Sequence, residues 1–421
     1  MAPGGAARAS RIADLSLAEA GEQKIRWVAR HSPVLNRLAR ERLADGALRG
    51  RRVAVVVHLE AKTAYLATLL AEAGAEVVVA GSNPRSTQDS VAAALVTRGL
   101  RVFARHGSSR AEFTEDLLAL VDTRPEIIVD DGAEATTRIV EHRAELAPGL
   151  RGVSEETTTG LARLRALARA GRLPFPAVAA NDAACKHLFD NRYGTAQATM
   201  QAILRLTNLA ASGKHFCVVG YGYVGKGLAS YAEGLGGRVT VVEVDPVAAL
   251  QAFMDGHRVA SRADALPDAD IVVTATGGIE ALAHDDFALL KDGVVLANAG
   301  HHDREIDVRE LEALAGPGDL VRPGVTRFRL GGRRIHLLVG GALVNIAGLD
   351  GNPIEIMDLS FSVQALSAHY LAANRLKAGI HPFPPELDRA IATAKLTTLG
   401  IELDELRPSQ RAFSEQWSVW E

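Results

Sequence analysis

The chain has 421 residues, too many for one ordinary domain and enough to bury a large core, so two domains are expected. Its 47 Lys and Arg against 50 Asp and Glu leave a net charge of −3, which points away from nucleic acid and membrane and toward a small-molecule partner. The 2 cysteines, Cys185 and Cys217, fit neither a disulfide framework nor a zinc site and suit a reducing, cytoplasmic setting; no segment reads as a membrane span or a secretory leader, and no metal is expected.

In chain order, Arg51 to Val57 is an apolar run that predicts a buried strand, Ala61 to Ala73 a helix and Ala75 to Ala80 a second strand, a βαβ unit. His58 follows the first strand, either as an imidazole exposed at a strand end or as an ordinary loop histidine. Glu126 to Val129 runs into Asp130, Asp131 and Gly132, acids at the strand end where open α/β sheets place ligand groups, although a turn of this composition needs no function. Ser154 to Gly160 (SEETTTG) sets Glu155 and Glu156 beside three threonines, too polar for a core. It reads as a site for sugar hydroxyls or as a capped helix start.

In Asn181 to Asn191 (NDAACKHLFDN), Lys186 and Asp190 share a helical face. Burial would lower the lysine pKa so that it takes a proton from an alcohol; the plain alternative is a solvated ion pair. Val218 to Glu243 then reads as strand, turn, helix and strand, with Gly220, Gly222 and Gly225 in G-x-G-x-x-G spacing and Tyr223 and Val224 inside the loop. This context fits a dinucleotide whose phosphates meet the helix N-terminus, and Glu243, placed for ribose hydroxyls, favours NAD over NADP by repelling a 2′-phosphate. Further strands are expected at Asp270 to Thr274, Gly293 to Asn298 and Arg334 to Val339. NAGHHD (Asn298 to Asp303) follows one of them as a proton relay or a turn. From Met357 the pattern turns helical, broken at HPFPP.

Together and in this order, STQDSVAAAL, DDGAEAT, GVSEETTTG, NDAACKHLFDNRYG, GYGYVGKG, EVDPVAALQAFMDG, ATGG, NAGHHDREID and LVNIAG resemble the S-adenosylhomocysteine hydrolase family. The resemblance extends from about Asp14 to about Leu403. It implies an α/β fold of two doubly wound Rossmann-like domains plus C-terminal helices: a substrate domain from residues 10–181 and 355–403, an NAD-binding domain from 182–354, a tail from 404–421 at a subunit contact, and a homo-oligomer. It further implies reversible hydrolysis of an S-nucleosyl-L-homocysteine by 3′-oxidation, elimination of homocysteine, water addition and re-reduction.

The chemistry would fall to His58, Asp131, Glu156, Lys186, Asp190, Asn191 and His301. Substrate would be held by Glu60, Lys62, Thr63, Thr157, Asn181, Asn345, Asp350, Asn352 and Met357. Around NAD the resemblance puts Thr157, Thr158, Thr159, Gly220, Gly222, Tyr223, Val224, Gly225 and Glu243, with Thr274, Thr276, Gly277, Asn298, Gly300 and Asn345 beyond the turn. Two other functions use parts of this set: an NAD-dependent 3′-oxidoreductase or epimerase on another nucleoside, and a non-catalytic NAD-binding regulator.

The departures from the family pattern are local. After His58 the family usually has Met-Thr-x-Glu/Gln-Thr, whose acid or amide accepts from the adenine amino group; here the run is Leu59-Glu60-Ala61-Lys62-Thr63, and an ammonium only donates. Asp350-Gly351-Asn352-Pro353 replaces Met-Gly-His-Pro. Either Lys62 pairs with Asp350, leaving adenine to be recognised by shape and backbone, or the pocket prefers a keto base such as hypoxanthine or another modified nucleoside. His302 replaces a gate phenylalanine, Tyr223 replaces an aspartate, and Arg85 takes an apolar position. The chain ends in FSEQWSVWE without the family's Lys and Tyr, leaving Trp417 and Trp420 as candidate anchors of a subunit contact.

Overall fold

Short runs rich in Val and Ile that are covered on both faces become strands of parallel sheets, and the chain supplies two sets of them. The structure, a computed structural model, describes residues 10–417, so Trp420 lies outside the described residues. The first set is β1 (Arg52–Val56), β2 (Glu76–Ala80), β3 (Arg101–Phe103), β4 (Ile127–Asp130), β5 (Gly152–Glu155) and β6 (Pro176–Ala179). The second is β7 (His215–Val219), β8 (Arg238–Val242), β9 (Arg258–Val259), β10 (Ile271–Thr274), β11 (Val294–Asn298), β12 (Asp319–Arg322), β13 (Val325–Leu330) and β14 (Arg333–Leu338). A last strand, β15 (Gly379–Pro382), returns to the first sheet.

The first sheet has 7 strands, all parallel, in the order β15-β6-β5-β4-β1-β2-β3; the second has 8, in the order β12-β13-β14-β11-β10-β7-β8-β9. In each, the chain reverses its direction of travel beside the first strand laid down, between β1 and β4 and between β7 and β10. Such switch points leave a crevice at the carboxyl ends of the strands. His58 and Asp131 leave β1 and β4 at the first crevice, and Gly220 and Thr276 follow β7 and β10 at the second. The fold is α/β with two Rossmann-like sheets and C-terminal helices.

Three elements differ from the sequence reading. HPFPP was expected as a break, yet β15 pairs there with β6 in register from Gly379 opposite Pro176 to Pro382 opposite Ala179. It is an edge strand, where the missing N–H of Pro382 costs no ladder bond. The β12–β13 hairpin extends the second sheet antiparallel around Pro323 and Gly324, the latter at φ 75. The SEETTTG stretch is not too polar for the interior: Ser154 and Glu155 are 0% exposed and Glu156 is 5% exposed, because each polar group has a partner.

The helix Ile354–Ala373 runs back from the second sheet onto the first, packing against the helix Pro33–Arg42 and over β4 and β5. Almost all of its circumference is buried, including Asp358, Ser360, Ser362 and Gln364. Beyond it, the helix Pro385–Thr398 packs on the same region, whereas the helix Pro408–Glu415 and Trp417 are exposed.

Candidate active site

At the first crevice the end of β4 turns sharply, with Gly132 at φ 82 and Ala133 at φ 56, and this turn presents Asp131 to two imidazoles. Its Oδ2 lies 3.6 Å from His58 Nε2 and accepts from the His58 N–H at 3.3 Å and the Ser82 hydroxyl at 3.1 Å; its Oδ1 lies 3.8 Å from His301 Nδ1. Burial works against charge on Asp131, but the two imidazoles and these donors outweigh it and hold the carboxyl below its usual range. Burial pushes His301 down to about 4, so its imidazole is neutral at neutral pH. His58 Nδ1 sits 2.5 Å from Ser86 Oγ, while its Nε2 and Asp131 Oδ1 have no hydrogen-bond partner. Those two buried atoms face the cavity that a ligand would fill. Donor atoms of His58, Asp131 and His301 also lie within 4.8 Å of one another, close enough for a cation.

A second cluster forms where the chain passes from β6 into the π-helix His187–Gly194. Lys186 Nζ is 2.9 Å from Asp190 Oδ2 and 3.6 Å from Glu156 Oε1, and it donates to Asn191 Oδ1 at 2.8 Å. The wider π turn brings both the fourth and the fifth residue onward to the lysine. Burial alone would lower the Lys186 pKa, as the sequence reading expected. The charges of Asp190 and Glu156 overcome it and raise the pKa, so the resting group is an ammonium. This corrects the expectation of a lysine poised as a free base. Glu156 goes the other way: burial pushes it up to about 7 despite Lys186 beside it.

The grip on these groups comes partly from residues that sequence patterns did not single out. Ser360 Oγ sits between Glu156 Oε1 at 3.1 Å and Asp190 Oδ2 at 3.0 Å, its single O–H shared between them, and Gln364, itself receiving Ser154 at 2.6 Å, donates to Glu156 Oε2. Asn352 donates to Asp190 Oδ1 and accepts from Asn345 at 2.9 Å. Asn181 receives Asn191 at 3.3 Å and donates to Thr158 at 3.2 Å. Ser360 and Gln364 fall four apart on a helix whose other residues read as core, so neither period nor motif marked them.

Between the clusters and the second crevice lies one cavity of about 310 Å³. Of the expected residues, it is lined by His58, Glu60, Lys62, Thr63, Asp131, Glu156, Thr157, Thr158, Thr159, Asn181, Lys186, Asp190, Asn191 and His301. Gly222, Tyr223, Val224, Thr276, Gly277, Gly300, Asn345, Asn352 and Met357 complete that set, with Val57, Leu343, Ile346 and Phe361 as apolar walls.

Other expected residues act from behind. Thr274 and Asn298 are fully buried and bonded to each other at 3.2 Å, and Asn298 holds the backbone of Gly300, Gly341 and His302. They shape the loop after β11 and do not face the cavity. Gly220 and Gly225 shape the phosphate turn: Gly220 is at φ 101, and a Cβ on Gly225 would lie 2.0 Å from the Gly220 carbonyl oxygen. A Cβ on Gly222 meets nothing within 4 Å. The helix Tyr223–Gly234 begins at this open backbone, so the turn fits a pyrophosphate. Glu243, beside Gly220, accepts from Tyr221 and Val244 N–H groups at 2.6 Å.

At the far end, Lys62 does not pair with the Asp350 carboxylate. Its Nζ donates to Glu60 Oε2 and to the Asp350 backbone oxygen, both at 2.7 Å, while the Asp350 side chain receives Gln88 at 3.2 Å. Glu60 also caps the helix Ala61–Glu72.

Profiles described as S-adenosyl-L-homocysteine hydrolase match residues 9–149, and as its NAD-binding domain residues 191–351. An adenosylhomocysteinase of Thermococcus kodakarensis is 47% identical over 409 residues, 96% of this chain and 97% of that protein. The chain belongs to the S-adenosyl-L-homocysteine hydrolase family. It is an enzyme of that family with NAD as cofactor. An adenosylhomocysteinase of Thermotoga maritima is 48% identical over 94% of this chain and 99% of its own. An S-inosyl-L-homocysteine hydrolase of Methanococcus maripaludis is 46% identical over 97% of this chain and 99% of its own. The family thus includes proteins named for two different bases, and this chain is about equally similar to both. No helix among the described residues is long and apolar enough to cross a membrane.

Proposed function

We propose that this chain hydrolyses S-nucleosyl-L-homocysteine with a preference for hypoxanthine over adenine, acting as a cytoplasmic homo-oligomer whose substrate domain comprises 10–181 and 355–403 around an NAD domain at 182–354. The single observation that carries the base preference is Lys62. Its ammonium has three donors and no acceptor; Glu60 and the Asp350 carbonyl take two, leaving one N–H for a ligand. A 6-keto oxygen satisfies that donor, whereas an amino group meets it donor to donor. The two buried free cysteines support a reducing compartment, and exposed Leu403, Phe413 and Trp417 on the C-terminal arm support a subunit contact.

NAD, held by the Gly220–Gly225 turn with Thr157, Thr276 and Gly277 beside it, would supply the hydride chemistry at the ribose C3′. In that reading Lys186 takes the O3′ proton as it passes its own to Glu156, whose pKa of about 7 suits a reversible exchange. Asp190, Asn191 and Asn181 fix the lysine in place. The C3′ carbonyl acidifies C4′–H, and Asp131 accepts that proton. The C–H electron pair becomes the C4′=C5′ bond as the C5′–S bond breaks, and homocysteine leaves as the thiol once its sulfur takes up the proton that Asp131 accepted. Water adds across the same bond, with His58 and His301 beside Asp131 to move its protons.

Turnover of S-inosyl- and S-adenosylhomocysteine, followed by free thiol, tests the base assignment. Roughly tenfold or greater preference for the inosyl compound is expected, the scale of one satisfied against one opposed buried donor. Preference for the adenosyl compound overturns it. Lys62→Gln should move the ratio toward adenine.

A further inference from the structure

Glu155 is the last residue of β5, fully buried, and neither lines the cavity nor touches Lys186. We propose that Glu155 is a positioning residue that aims the base Asp131, an inference that rests on the reaction proposed above. Its Oε1 accepts from the Gly132 N–H, the Thr157 N–H and the Thr157 hydroxyl, each at 2.9 Å, and its Oε2 accepts from the Ala133 N–H at 2.9 Å. Gly132 and Ala133 are the consecutive left-handed residues that turn the chain immediately after Asp131. Glycine enters that region freely, but alanine does so against its Cβ, so this turn persists only where something holds it. A carboxyl group whose two oxygens bridge both N–H groups is such a hold.

The neighbouring strand supplies the other half of the clamp. Asp130 Oδ1 accepts from the Asp131 N–H at 3.1 Å and the Ala135 N–H at 3.2 Å, and its Oδ2 takes the Thr136 N–H at 2.8 Å. Backbone on both sides of Asp131 is therefore pinned by buried carboxyl groups, and its side chain is left to face His58 and His301. The chain also leaves room for this arrangement: a Cβ on Gly160 would lie 2.1 Å from the Glu155 carboxyl carbon. The same Glu155 oxygen accepts from Thr157, which is held independently as the cap of the helix Thr158–Arg169, its hydroxyl accepting from the Gly160 N–H at 2.9 Å.

The reaction separates this role from a merely structural one, because oxidation at C3′ uses Lys186 and exchange at C4′ uses Asp131. In the NAD-loaded enzyme mixed with inosine, Glu155→Gln should develop reduced-nicotinamide absorbance at the wild-type rate. It should exchange C4′–H with deuterated water at least about tenfold more slowly, the size expected when a reacting group is slightly misplaced. Wild-type exchange in the variant, or equal slowing of oxidation and exchange, overturns the inference. If Glu155→Gln fails to fold, Glu155→Asp keeps both acceptor oxygens but is too short to span both N–H groups, and the same split is required of it. Absence of reduced nicotinamide in the wild-type enzyme, with both inosine and adenosine, would refute the reaction itself and is distinguishable from failure of the positioning role alone.

Discussion

Lys186 shows what single residues reveal and conceal. Its spacing to Asp190 was legible, but its protonation state was not, because Glu156 approaches from another strand and reverses the effect of burial. Replacing it with Met keeps most of the volume and removes the proton route. Lys186→Met should lower 3′-oxidation by about 10²- to 10⁴-fold, the range for a lost general acid–base group, read as reduced-nicotinamide formation in a single turnover. An unaltered rate removes Lys186 from the mechanism. His301 makes a second residue-level prediction. Its pKa is about 4 when folded against an ordinary 6.5, so as pH falls from 6.5 toward 4 the unfolded chain takes up a proton that the folded chain refuses. Stability is full above that window and declines within it, by no more than about 3 kcal/mol from this group. His301→Gln should flatten the fall in thermal midpoint between those limits; an unchanged slope assigns it elsewhere.

Among elements, the glycine turn was legible because its constraints are local. Strand, turn and helix are contiguous, and each glycine answers to atoms a few residues away. The structure adds that the glycines are not equivalent. Gly225→Ala drives a methyl into the Gly220 carbonyl, a backbone atom that has no rotamer to move, so it should destabilise the protein by about 1–3 kcal/mol and strip NAD from the purified enzyme. Gly222→Ala meets open space, so it should unfold like wild type without cofactor yet bind NAD more weakly, its methyl standing where a pyrophosphate approaches. Thermal unfolding with and without added NAD separates the two; identical behaviour of both variants contradicts this assignment. Ser360 and Gln364 were illegible for the opposite reason. They hold Glu156 across 204 and 208 residues, and on a helix buried all round a serine or glutamine gives no periodic signal of what it faces.

At the scale of the whole molecule, paired βαβ units announced two sheets, while β15 and the β12–β13 hairpin stayed hidden in Pro- and Gly-containing segments whose strand character depends on a partner edge. Which side chains meet across the cavity could not be read either, since that depends on how the two sheets face each other. One such meeting is at the cavity's rim. Arg85, in the turn Pro84–Ser86 of the first sheet, lies 3.5 Å from Asp303, in the loop after β11 of the second. Both side chains are about half exposed, so water and salt screen the pair and its worth is at most about 1 kcal/mol. That magnitude decides what it does: too weak to hold the fold, it is large enough to favour the approach of these two loops. Arg85→Met, which keeps the stem and removes the charge, should raise KM by no more than roughly fivefold at low ionic strength. The difference should vanish near 1 M salt, where screening acts within about 3 Å. Persistence of the gap at high salt would trace it to the packing of the arginine stem, because an exposed ion pair has no means of resisting ions that surround it.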